Sequence, residues 1–279
     1  MKFQTEKAVV YYPQNKKEGK CAYMAISAHQ DDIEIMATDG ILKAFDSKDE
    51  TFYAVVATDG AGSARNGLYA DYTDEMMKQV RVFEQRKAAE VGAYGGLISL
   101  NYTSKEAKDA AERRMIEDFK SILSELKPRY VYTHNLCDKH DTHVGVVTKV
   151  IKAIRELDPA DRPEKVYGCE VWRDLDWMLD DEKVIFDVSA HENLKAALLG
   201  VFDSQIAGGK RYDAATAGRR LANATFSASH AVDTATSLAY AMDLTPLVEN
   251  PELDMAEYAV SYLDHLRADI VAKINRVSK

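Results

Sequence analysis

Two polar clusters in this sequence hold the residue types that bind a divalent cation and move protons. The first is His29-Gln30-Asp31-Asp32. The second runs from His134 to His143 and contains Asp138, His140, Asp141 and His143. Each has a plainer reading alone. Asp31 or Asp32 suits a helix N-cap, because a short carboxylate accepts the free N–H groups of a first turn. His140 and His143 stand three apart and share a helix face, as a surface pair also would. Together the clusters supply His, Asp and His, the ligand set of an open catalytic zinc site that keeps a position for water. Adjacent carboxylates repel, and a nearby cation relieves that repulsion. The two aspartates point in different directions, so one can bind metal while the other faces the water on it. A free carboxylate is the better base, and a bound cation lowers the water pKa to about 7. His140 is suited to steady a tetrahedral oxyanion or to protonate a leaving amine.

The elements that must position these clusters alternate between strand and helix. Short apolar runs predict strands at 22–28, 52–57, 97–100, 130–133, 166–171 and 184–188. Helical spacing predicts helices over 33–45, from a cap at Thr73 to about Val91, 115–126, 144–154 and 212–226. Ser189 and Glu192 read as a capping box for a helix to about Val201, and Asn250-Pro251 as the start of the last helix. This alternation predicts an α/β fold: a three-layer, Rossmann-like domain with a mostly parallel sheet and helices on both faces. The absence of a linker rich in Pro, Gly or Ser favours one domain over 1–279, with 1–20 as an N-terminal extension. In open parallel sheets ligands sit beyond the carboxyl ends of the strands, and both clusters come directly after predicted strands.

Composition narrows the partners. The net charge of −9 argues against nucleic acid, which needs clustered Lys and Arg. Three cysteines at wide spacing suggest neither a disulfide framework nor a thiolate metal site, and with no apolar leader at the N-terminus the expectation is cytoplasmic. No run approaches the roughly 18 apolar residues of a membrane span.

Ala28-His29-Gln30-Asp31-Asp32-Ile33-Glu34 and His140-Asp141-Thr142-His143 resemble the A-H-P-D-D-E and H-x-x-H motifs of the PIG-L/LmbE family of zinc-dependent de-N-acetylases. The resemblance spans roughly residues 20 to 230. It extends to Thr58-Asp59-Gly60, to Arg81 with Glu84, and to Ser204-Gln205. It implies His29, Asp32 and His143 as metal ligands, Asp31 as general base and His140 as the electrophilic or acid histidine. It implies one Zn²⁺ per chain, with Fe²⁺ and Co²⁺ as alternatives, and hydrolysis of the N-acetyl amide of an N-acetylglucosamine-like sugar or conjugate, releasing acetate. This chain departs from the motifs at Gln30, where proline is usual, and at Glu34, one residue late. Asp141 is one residue early, and Ala61 stands where the T-x-G-E loop has its Glu.

Other residues have two readings each. Asp59 and Arg65 lie in a loop that could contact sugar hydroxyls or solvent. Asp138 and Asp141 are candidates to support the histidines from behind. Arg81 and Glu84 read as a structural ion pair on a helix. His134 is either a support for the site or a core histidine. Trp172 reads as core on its strand, or with Trp177 as a sugar platform. Two readings compete with the hydrolase: a non-catalytic sugar- or nucleotide-binding sensor, and a non-haem iron oxygenase built on the same ligand set. A homo-oligomer is left open, since nothing in the sequence marks an interface.

Overall fold

The computed structural model describes residues 1–278. Eight strands form one sheet: β1 (Val9–Tyr11), β2 (Lys20–Ser27), β3 (Glu50–Thr58), β4 (Gly96–Tyr102), β5 (Tyr130–His134), β6 (Lys165–Cys169), β7 (Val184–Asp187) and β8 (Leu238–Asp243). The order is β1-β4-β3-β2-β5-β6-β8-β7. The central five strands, β4 to β6 in that order, pair in parallel. β1, β7 and β8 pair antiparallel at the two edges.

Both faces of the sheet are covered, which is why β2 and β3 read as nearly unbroken apolar runs. Met24, Ile26, Val55 and Ile98 pack toward Phe119, Val147 and Ile151 on one side. Ala25, Phe52, Val56 and Tyr132 pack toward Ile41 and Leu198 on the other. The segment 1–20 is tied to this body: Val9–Tyr11 extends the sheet beside β4, and the Asp118 carboxylate accepts the N–H groups of Gln4 and Thr5.

Several elements differ from the sequence reading. The helix expected over 33–45 is two helices, Asp32–Met36 and Thr38–Asp46, broken at Ala37. Arg220 accounts for the break, since its guanidinium donates to the carbonyls of Glu34 and Ile35 and to the Thr38 hydroxyl. The Ser189 capping box does not form. His191, in the left-handed region at φ 54°, precedes the helix Glu192–Gly200, and the Ser189 hydroxyl accepts the N–H groups of Thr236 and Ser237 instead. The last helix is Met255–Ser278, opened by the Asp254 carboxylate on the N–H groups of Ala256 and Glu257. Asn250 and Pro251 lie before it in a turn. β1 and β8 carry little signal in the sequence, because one has three residues and the other alternates only weakly, with alanine at two positions. Among the described residues, no helix is long and apolar enough to cross a membrane.

Candidate metal centre

The chain runs outward from β2 to β3 and β4 on one side, then returns to β5 and β6 on the other. The strand order therefore reverses between β2 and β5, and a crevice at such a point is the usual ligand site of an open α/β sheet. The two clusters meet there. His29 lies two residues past the end of β2, and His134 is the last residue of β5. The Ala28 N–H donates to His134 Nε2 at 2.8 Å and joins the two strand ends. His140 then opens the helix Asp141–Arg155, its Nδ1 accepting the N–H of Thr142, and His143 comes one turn further in.

Three atoms able to bind a metal converge. His29 Nδ1 is 3.2 Å from Asp32 Oδ2 and 3.2 Å from His143 Nε2, and His143 Nε2 is 3.4 Å from Asp32 Oδ2. Donors about 2.0–2.2 Å from a shared tetrahedral centre are about 3.3–3.6 Å apart, so the triangle has the size one small divalent cation needs. His134 is also close, at 3.5 Å from Asp32 Oδ2. Its Nε2 already accepts the Ala28 N–H, which leaves His29 as the better third donor. The donor set of two imidazoles and one carboxylate suits zinc, and equally Fe²⁺.

Electrostatics separates the two aspartates. Both are buried. Burial acts to raise the Asp32 carboxyl, but His143, the hydrogen bond from His29 and His134 outweigh it and hold that carboxyl well below the usual range. Asp31 is pushed up to about 7, by burial first and by its neighbour Asp32, against the pull of Arg81. The Asp31 backbone is held at φ 83°, a conformation that costs energy in any residue but glycine. Its N–H donates to Gln85 Oε1, while Gln85 Nε2 and the Tyr94 hydroxyl donate to Glu34. Burial raises Glu34 to about 8 despite those two donors. The displaced glutamate of the first motif thus anchors the loop from below.

Asp138 sits behind His143, its Oδ2 3.4 Å from Nδ1, and its two oxygens also accept the N–H groups of His140 and Trp172. Asp141 is exposed at the start of its helix. His140 packs its ring 4.6 Å from that of His143 and 5.1 Å from that of His29. Burial and the other two histidines lower its pKa.

The cleft over these residues has a volume of about 500 Å³, ordinary for a small-molecule site. Gly60 and Ser63 come from the loop after β3, Lys108 and Thr142 from one side, and Gln205, Lys210 and Tyr212 from the other. Asp59 and Arg65 do not line it. Asp59 accepts the Ala61 N–H and pairs with Lys78, and Arg65 pairs with Asp74. Arg81 and Glu84 form the structural ion pair expected on their helix, fully buried, and Arg81 reaches across to Asp31. β6 ends at Cys169, so Trp172 is no strand residue. It stands at the cleft mouth with the Lys210 ammonium 4.9 Å from its ring. Trp177 lies away from the cleft, its ring N–H on the Asp174 carbonyl. His134 is buried and stacks on His143 at 3.8 Å.

Residues 24–154 match the PIG-L family, described as GlcNAc-PI de-N-acetylase. No curated protein sequence matches the chain. Among solved structures, the N,N'-diacetylchitobiose deacetylase of Pyrococcus horikoshii is similar at TM-score 0.62 and 15% identity, over 78% of this chain and 83% of that one. GalB, the 4-carboxy-2-hydroxymuconate hydratase of Pseudomonas putida KT2440, is similar at 0.60 and 16%, over 80% and 96%. The A40926 pseudoaglycone deacetylase Dbv21 is similar at 0.56 and 15%, over 80% and 97%. These likenesses establish a shared fold. The matched residues 24–154 carry the converging histidines and aspartates, so the likeness to the PIG-L family covers the candidate site.

Proposed function

We propose that this chain is a metal-dependent N-deacetylase that hydrolyses the acetamide of an N-acetylated amino sugar or sugar conjugate. The observation that carries the reading is the triangle of His29 Nδ1, Asp32 Oδ2 and His143 Nε2 with a second, unliganded carboxylate beside it. Zinc held by those three atoms would polarise the amide carbonyl and acidify a water. Asp31 takes the proton from the attacking water, a role for which a carboxylate kept off the ligand set is suited. His140, at the edge of the cleft, donates to the developing oxyanion or to the departing nitrogen. Asp138 holds the His143 ring in place from behind. The C–N bond breaks, acetate leaves with the new C–O bond, and the amine leaves with a proton.

A second reading has a specific observation in its favour. A fold neighbour at TM-score 0.60 is the 4-carboxy-2-hydroxymuconate hydratase GalB, and a hydratase adds water rather than cleaving an amide. The same base and ligand triangle serve that reaction on an unsaturated acid. The iron-oxygenase reading shares the ligand set alone, and the family match supports hydrolysis over it. Asp31, a carboxylate that lines the cleft but stands off the triangle, disfavours a pure binding module, which needs no base beside its metal.

The test is acetate release by purified, zinc-loaded protein from N-acetylglucosamine and N,N'-diacetylchitobiose, with Asp31→Asn alongside. Release that falls at least about 100-fold in the variant supports the assignment. Release from neither sugar, with hydration of a muconate-type acid instead, selects the second reading.

A further inference from the structure

Behind the cleft lies a second cavity of about 150 Å³, walled by Ile35, Met36, Val171, Ala215 and Ala239. It adjoins the cleft, because Asp32, Trp172 and Tyr212 line both. Its charged wall residues are already engaged with the protein. Glu170 accepts the N–H groups of Leu175 and Tyr240 and the Asn223 amide. Arg219 donates to the Val171 carbonyl, and Arg220 donates to Glu34, Ile35 and Thr38. A sugar ring placed here would find few free partners for its hydroxyls and would lose its water for nothing in return. The surface offered is aliphatic and aromatic, with Met36 as an adaptable wall. An apolar cavity of this volume holds a benzene-sized guest.

We infer that this cavity takes the acyl side of the amide, and that the preferred acyl group is larger and more apolar than acetyl: a short alkyl chain or a phenyl ring. The inference rests on the amide-hydrolase reading above. The roomy polar cleft, with its lysines, accepts the amino-sugar side, and the apolar cavity on the other side of Asp32 accepts what the reaction releases as a carboxylic acid. An acetyl methyl fills only a small part of the space. Each further methylene buried there strengthens transition-state binding by about fourfold.

The experiment compares kcat/KM for N-acetyl-, N-butyryl- and N-hexanoylglucosamine with zinc-loaded protein. Ala215→Leu and Ala239→Leu are measured in parallel, each filling the cavity from a different element. Ala215 is exposed at the rim, and leucine is a good helix former. Butyryl is expected to exceed acetyl by about 15-fold, which is two methylenes at fourfold each. Either leucine variant is expected to bring that ratio close to one. A wild-type ratio at or below one overturns the inference, as does a ratio that neither variant changes. Binding separates this from the function proposed above. Trp172 and Trp177 are the only tryptophans, so fluorescence titration of metal-free protein with the same three amides reads cavity occupancy without turnover. No hydrolysis of any amide, with affinity that climbs with chain length and is abolished by Ala215→Leu, removes the reaction and keeps the cavity. Hydrolysis of all three at equal rates and equal affinities does the reverse.

Discussion

Arg81 Nη2 lies 3.2 Å from Asp31 Oδ2, and both side chains are almost wholly withdrawn from solvent. The pair crosses from the helix Asp74–Val91 to the loop after β2, and the guanidinium charge favours ionisation of the buried Asp31 carboxyl. Removing one partner of a buried pair leaves the other uncompensated and costs about 3–5 kcal/mol. Arg81→Ala is therefore expected to lower the melting temperature by about 10 °C and to abolish turnover. Arg81→Lys retains the charge without the planar fork and should recover part of the stability. Calorimetry of the two variants checks this. Equal stability of Arg81→Ala and wild type would mean that the carboxylate is neutral and the pair unimportant.

The ligand triangle predicts linkage between metal and folding. A ligand bound only by the folded state at 100 times its Kd adds about 2.7 kcal/mol. Zinc added to chelator-treated protein should raise the melting temperature by several degrees. His143→Ala and Asp32→Asn should each remove that rise, whereas Asp141→Asn should keep it, because Asp141 is exposed outside the triangle. Thermal scans across a zinc series read all three. An undiminished rise in His143→Ala would move the metal elsewhere.

Much of this is legible in the sequence for a physical reason. β2, β3 and β5 are apolar on both faces, so their runs mark themselves, and the residues just beyond the carboxyl ends of β2 and β5 are bound to meet at the reversal of strand order. Thr73 caps its helix through the Met76 N–H, as its type and the acidic first turn predict. Local pattern does not reveal long-range contact. Gln85 and Glu34 are 51 residues apart, and nothing in the spacing of either says that they hold the Asp31 loop together. Trp172 reads as core in the sequence because Val171 beside it continues the apolar run of the strand. The chain leaves the sheet at Cys169, where the Glu170 carboxylate begins to collect backbone donors from Leu175 and Tyr240. Asp59 and Arg65 sit in the right loop, yet nearer partners, Lys78 and Asp74, draw them away from the cleft.

Glu170 also gives a pH dependence. Burial raises its carboxyl above the usual value, against the two backbone donors, Arg219 and Asn223. A carboxyl whose folded pKa is raised favours folding while it is protonated in both states. That stability is complete below the unfolded value of about 4.5 and is lost as pH rises through the folded pKa. Glu170→Gln cannot ionise and loses nothing over that window. The melting-temperature difference, wild type minus Glu170→Gln, should therefore shrink as pH rises from about 4 to 8. A difference that grows with pH would mean the folded state prefers the ionised carboxylate, contrary to the burial argument.

Asp138 joins three parts of the site through one carboxylate, with Oδ1 on the His140 N–H and Oδ2 on the Trp172 N–H and facing His143 Nδ1. A carboxylate behind a ligand histidine fixes the tautomer that turns the other nitrogen toward the metal, and loss of such a partner typically costs 10–100-fold in affinity. Asp138→Asn retains the shape and removes the charge that favours a proton on Nδ1. Zinc affinity measured by competition with a chelating dye should fall by about 10–100-fold, with little change in melting temperature of the metal-free protein. Asp141→Asn should change neither quantity. The pair of variants separates the two acids that flank the histidines in sequence, only one of which lies against the ring. An affinity loss confined to Asp141→Asn would mean that the His143 ring turns when metal binds and takes its support from the helix start instead.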